Sequence, residues 1–243
     1  MRRWFGRSGL WASVALLLAQ AWSLAQDSSP QPISPREALQ PFSPLIGQWR
    51  ATGMPEGSAQ AKQKGFWTES IAWQWQFKGD EAWLAVEFTK GKYFVNGQLR
   101  PLPQKDRFTL TLQTVDKQTL VFEGTFADRK FTADRTDPQT KQTQRLVWTL
   151  LHANRILYRY EVKPADAVTF TRIYQVGATR EGEPFATDKT GPECIVSGGL
   201  GTMPVVYKGK TYYVCCSGCR TEFNADPEKY IREFEAKQQK SPK

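Results

Sequence analysis

The chain predicts a mainly β protein in which an antiparallel barrel is followed by a small α+β module. Three features carry that expectation. From residue 44 to about residue 177, bulky apolar side chains alternate with polar ones in short runs. Turn-forming residues separate these runs, and no long helical pattern interrupts them. All four cysteines then fall between Cys194 and Cys219, beyond a stretch of glycine, proline and polar residues without periodicity.

Residues 1–25 read as a secretory signal peptide. A basic start (Arg2, Arg3, Arg7) leads into an apolar run from Leu10 to Leu18, and Ser23-Leu24-Ala25 supplies small residues before Gln26. The run is shorter than the ~20 residues that span a bilayer. The expected product is exported, periplasmic or secreted, with no transmembrane segment after cleavage. The net charge of +9 falls to +6 once the three arginines leave. Lysine and arginine are interleaved with acids, and no aromatic and basic stripe is present, so a nucleic-acid partner is not expected. Residues 26–43, with Ser29-Pro30, Gln31-Pro32 and Ser34-Pro35, read as a flexible or extended lead-in.

The barrel is expected over residues 44–177. Ile71, Trp73, Trp75 and Phe77 alternate with Ala72, Gln74 and Gln76; Leu84, Val86 and Phe88 with Ala85 and Glu87; Phe108, Leu110 and Leu112 with Thr109 and Thr111. Leu120, Phe122 and Phe126 form another such set, as do Tyr158, Tyr160 and Val162, and Val168, Phe170 and Tyr174 continue the series. Turns are expected at Lys78-Gly79-Asp80, Asn96-Gly97, Asp116-Lys117 and Ala127-Asp128. Roughly eight to ten short antiparallel strands must hide their edges, most simply by closing. Leu45-Ile46-Gly47-Gln48-Trp49 resembles the Gly-x-Trp start of lipocalin-like (calycin-type) barrels. That resemblance implies an up-and-down barrel with a cavity and a packing role for Trp49. An aromatic interior suits a hydrophobic small molecule, and it equally suits a barrel filled by its own side chains.

No catalytic constellation is found, so an enzyme is not expected. The only histidine, His152, lies between two strands, where it caps a turn or ligates a haem iron; the turn is preferred. Glu123, Asp134 and Asp137 have no spacing that predicts acid–base work and read as solvated charges. Residues 178–191 read as a linker.

Residues 192–236 form the second module, and 237–243 a tail expected to fray. Twenty positions separate Cys194 from Cys215, enough for a hairpin to leave the first sulfur and return to it. Val205-Val206-Tyr207 and Thr211 to Val214 supply its strands, and Lys208-Gly209 its turn. Cys215 and Cys219 are four apart, so a helical turn puts their sulfurs on one face. Gly218 is assigned a tight bend before the third sulfur. Asp226 and Pro227 read as the cap and first residue of a second helix carrying Tyr230, Ile231 and Phe234. Thiolates are soft ligands for zinc or copper(I), and four cysteines in an exported protein can alternatively form two disulfides.

Cys194-Ile-Val-Ser-Gly, Tyr207-Lys-Gly-Lys-Thr-Tyr-Tyr-Val-Cys215-Cys-Ser-Gly-Cys219, Phe223 and Asp226-Pro-Glu-Lys-Tyr230 resemble the YHS/TRASH family of treble-clef-like metal-binding modules. The resemblance implies that Cys194, Cys215 and Cys219 are metal ligands. Cys216 is an addition to the pattern, as a fourth ligand, a redox partner or a spectator. The function expected is binding of a soft or borderline cation, Zn or Cu, for metal handling or sensing. The alternatives are a carrier of a hydrophobic ligand stapled by the cysteines, and a thiol redox protein.

Overall fold

A computed structural model of the chain describes residues 33–152, 154–182 and 191–240. The signal peptide, the first part of the lead-in, most of the linker and the last three residues lie outside them. Ten strands close into an antiparallel barrel: β1 (Gly47–Pro55), β2 (Trp67–Lys78), β3 (Glu81–Thr89), β4 (Phe94–Pro101), β5 (Arg107–Thr114), β6 (Thr119–Ala127), β7 (Lys130–Thr136), β8 (Thr143–His152), β9 (Arg155–Lys163) and β10 (Thr171–Arg180). Each pairs with its neighbour in sequence, and β1 pairs with β10, Trp49 opposite Arg180, so no edge is left open. This is the expected up-and-down barrel, with two strands more than the eight of a lipocalin barrel.

The period-two pattern became the inner face. Ile71, Trp73, Trp75, Leu84, Val86, Phe108, Leu110, Phe122, Trp148 and Tyr158 are buried. The series fails at two positions and resumes at Tyr174, which is buried in β10. Val168 is exposed and Phe170 precedes β10, outside the barrel beneath the cations of Arg145 and Lys163. Asn96-Gly97 is not a turn but the middle of β4: a side chain at Gly97 would meet the Thr111 carbonyl oxygen at 2.4 Å, so glycine serves close strand approach. The chain turns before it, where Lys90 takes a positive φ of 58°.

The second half of the lead-in is helical. Ser34 caps α1 (Pro35–Ala38) in a capping box with Glu37, and a 3-10 segment, Gln40–Leu45, follows. Phe42 plugs one end of the barrel, its ring 4.8 Å from Phe108 and 4.7 Å from Phe126. Trp49, fully buried, donates its indole N–H to the Leu45 carbonyl at 2.7 Å, and the Arg180 guanidinium lies 4.3 Å over its ring. Gly47 has φ +122°, and a Cβ there would meet Arg180 Nη1 at 2.6 Å, which explains the glycine two residues before Trp49. A short helix, α2 (Ala59–Gly65), joins β1 to β2.

The C-terminal module comprises a hairpin, β11 (Met203–Tyr207) and β12 (Lys210–Val214), and two helices, α3 (Ser217–Ala225) and α4 (Pro227–Lys240). Lys208 and Gly209 both have positive φ, as a two-residue turn matching strand twist requires. Asp226 caps α4 through the Lys229 N–H at 3.0 Å, as expected. Helix α4 continues to Lys240, through residues assigned to a fraying tail. Phe223 is buried against Tyr212 and Tyr207.

This module is seated on the plugged end of the barrel. Arg36 of α1 pairs with Glu233 at 2.7 Å and donates to the Val196 carbonyl; Gln40 donates to the Ser197 carbonyl. Strand β2 runs past β1, whose pairing stops at Gly47 opposite Trp73. The start of α3 meets that extension, with Ser217 Oγ 3.0 Å from Gln74 Oε1. Gly218 makes no special bend. A Cβ on it would lie 1.8 Å from the Trp75 carbonyl oxygen, so its role is contact with the barrel.

Candidate metal centre

Three elements converge on one point. Cys194 opens a tight loop in which its N–H donates to the Gly199 carbonyl and its carbonyl accepts from Gly198. The Ile195 N–H donates to the Tyr213 carbonyl at 2.9 Å, fixing this loop to β12. Cys215 follows β12, and Cys219 lies one turn into α3. The sulfurs of Cys194, Cys215 and Cys219 all lie within 4.8 Å of one another, and those of Cys215 and Cys219 are 3.5 Å apart. Zinc–thiolate bonds of ~2.3 Å in a tetrahedron separate sulfurs by about 3.8 Å, so a single ion fits among the three with small adjustments.

The surroundings suit thiolates. The Ser197 N–H donates to Cys194 Sγ at 3.4 Å, and Ser197 Oγ is 3.3 Å from Cys215 Sγ. Cys194 and Cys219 are fully buried, and Cys215 is half-buried. The thiols share their protons unevenly. Hydrogen bonds from Cys215 and then Cys219 pull Cys194 down to about 2. The Cys215 thiol is pushed up by the hydrogen bonds it gives to Cys194 and Cys216, and Cys219 is pushed up mainly by burial. All four cysteines are free, in no disulfide.

Cys216 is set apart. Its sulfur is 3.9 Å from Cys215 Sγ, but it faces the barrel and accepts the backbone N–H of Trp75 at 3.4 Å. A hydrogen bond from Cys215 pulls it down to about 3.

Between the module and the barrel end lies a cleft of about 860 Å³ whose walls include Cys215, Cys216, Met203, Trp73, Arg129 and His152. His152 ends β8 beside the β8–β9 turn, and its Nδ1 lies 2.6 Å from Asn154 Oδ1 in that turn, the turn role expected of it. Glu123 pairs with Arg107, Asp134 with Arg145, and Asp137 caps the turn after β7. At the opposite end of the barrel, sequence reasoning missed Glu69. This buried carboxylate accepts from Tyr158 Oη at 2.7 Å, from Trp67 Nε1 at 3.1 Å and from the Lys92 N–H at 3.3 Å. Its signal was inward parity with Ile71 and Trp73.

Residues 203–233 match the YHS domain. No curated protein is significantly similar to the chain. Among solved structures, the crystal structure of Rv2717c from M. tuberculosis is similar at 14% identity and a TM-score of 0.39, covering 59% of this chain and 97% of that one. The structure of EF1p2_mFAP2b bound to DFHBI is similar at 12% identity and a TM-score of 0.26, covering 58% of this chain and 98% of that one.

Proposed function

We propose that this is an exported protein that binds one soft or borderline cation, Zn²⁺ or Cu⁺, for metal handling, and that it is not an enzyme. The observation that carries the reading is the mutual approach of Cys194, Cys215 and Cys219 Sγ within 4.8 Å in a segment overlapping a YHS match. Three sulfurs leave one tetrahedral position for a fourth donor, water or an exchanging ligand. Thiolates select soft cations over magnesium or calcium. Cys215, the one partly exposed sulfur residue of the three and part of the cleft wall, suits an ion that is taken up and passed on rather than sealed in. Export rests on the N-terminal sequence pattern. The test is metal analysis with thiol counting on the full mature chain purified without oxygen, before and after chelation. One ion per chain and four titratable thiols after chelation are expected; thiols already lost to disulfides in a chain that accepts no metal would sink the reading.

A second reading, a barrel that carries a small ligand, has its own observation. The indole N–H groups of Trp73, Trp75 and Trp148 are buried without a partner among the described residues. A ligand bearing acceptors would satisfy them. Quenching of tryptophan fluorescence that survives replacement of the cysteines would favour it.

A further inference from the structure

The cleft beside Cys215 is far larger than a cation requires. At about 860 Å³ it is in the range of sites for organic molecules, and its two walls come from different modules. The module supplies Cys215, Cys216 and Met203; the barrel supplies Trp73, Arg129 and His152.

The charged groups in the walls favour an anion. Arg180 is occupied, donating to the Pro44 carbonyl at 2.6 Å and to the Ile46 carbonyl while it covers Trp49. Glu181, the one carboxylate in the described lining, faces Arg50 at 3.5 Å. Arg129 differs. The β6–β7 turn holds it at φ 59°, and its Nε donates to the Leu150 carbonyl at 2.8 Å, which fixes the stem. Arg129 is an exposed residue whose Nη groups have no protein partner among the described residues, so a solvated guanidinium fork is available at the cleft wall. His152 has its Nδ1 engaged by Asn154, leaving Nε2 as the ring's other polar atom.

We propose that this cleft binds a small organic anion, of the carboxylate-bearing thiol class that complexes soft cations in solution, with Arg129 as its anchor. The inference rests on the metal reading for its purpose. A bare cation entering past two guanidinium groups is repelled, whereas the same ion in an anionic complex is attracted and delivered beside Cys215. The binding site itself needs no metal, so the two readings fail separately.

The test uses the full mature chain, reduced and metal-free, with S-methylglutathione as probe, a tripeptide anion whose blocked sulfur cannot exchange with the cysteines. Binding is read by calorimetry. Arg129→Asn tolerates the left-handed backbone and should weaken binding about fivefold or more through loss of a charge-assisted fork. Arg129→Lys, which keeps the charge without the fork, should fall between the two. Lys117→Asn removes the same charge from the β5–β6 turn, away from the cleft, and should change affinity by less than about twofold. Absence of saturable binding to the unmodified chain, or equal weakening by Arg129→Asn and Lys117→Asn, would overturn the proposal. A chain that takes up metal but fails this test loses only the anion site, and a chain that binds the probe but no metal loses only the metal centre.

Discussion

The backbone N–H of Trp75 points at Cys216 Sγ, 3.4 Å away, so the cysteine next to the three-sulfur cluster is tied to the barrel. Cys216→Ala should therefore retain one ion per chain while costing about 1 kcal/mol of stability through the unpaired Trp75 N–H. Alanine at Cys194, Cys215 or Cys219 should abolish stoichiometric metal. Metal analysis beside urea denaturation separates the two patterns. Loss of the ion in Cys216→Ala would instead make it a ligand.

Gly218 sits inside α3, where alanine normally raises helix stability by up to ~1 kcal/mol. Here an added Cβ would lie 1.8 Å from the Trp75 carbonyl oxygen, an overlap that only separation of α3 from β2 relieves. Gly218→Ala should thus destabilise the docked state by about 1–3 kcal/mol, the usual cost of overpacking. A lowered melting temperature and faster alkylation of Cys216 are expected; a raised melting temperature would show that the module is not seated on β2.

Much of this was legible in the residues, for physical reasons. Period-two alternation in β2, β3 and β5 reports a sheet with one buried face, and the Lys208-Gly209 turn and Asp226 cap are local chemistry. What could not be read depends on contacts distant in sequence. Asn96-Gly97 has the composition of a turn, yet Gly97 is needed where β4 passes Thr111. Ser34-Pro35 suggested an extended lead-in, but proline also suits a first helical turn, as Pro35 shows in α1, and Phe42 finds its pocket only once the barrel has closed. At the metal centre the spacing brought the sulfurs together on paper. The seating of α3 on β2, and hence the position of Cys216, depended on a strand 141 residues away.

Glu69 ties the far end of the barrel together. Its carboxylate is buried and takes a hydrogen bond from Tyr158 Oη at 2.7 Å, and burial together with the nearby charge pushes the Tyr158 phenol well above its ordinary value. Tyr158→Phe removes a donor to a buried carboxylate and should cost about 1.5–3 kcal/mol. For a domain of this size that is a fall in melting temperature of roughly 3–12 °C. Tyr158→Phe with Glu69→Gln should recover part of the loss, because an amide tolerates the missing donor better than a charge does. A double variant no better than the single one would contradict this account.

Acid should release the metal, with a steepness set by how the thiols hold their protons. In the metal-free cluster Cys194 is pulled low and is already a thiolate, whereas Cys215 and Cys219 are pushed above the ordinary thiol range and keep their protons at neutral pH. Coordination requires all three as thiolates, so binding displaces the protons of Cys215 and Cys219. Affinity must then rise with pH throughout the interval above the Cys194 value and below those of the other two. Two displaced protons correspond to a slope approaching a hundredfold per pH unit, or ~2.7 kcal/mol. Competition against a chelator of known pH dependence at pH 6, 7 and 8 measures the slope. Proton release into a weakly buffered solution gives the count independently. A flat affinity profile together with no proton release would mean that the three sulfurs do not bind the ion as displaced thiols, and the assignment of Cys215 and Cys219 as ligands would fall with it.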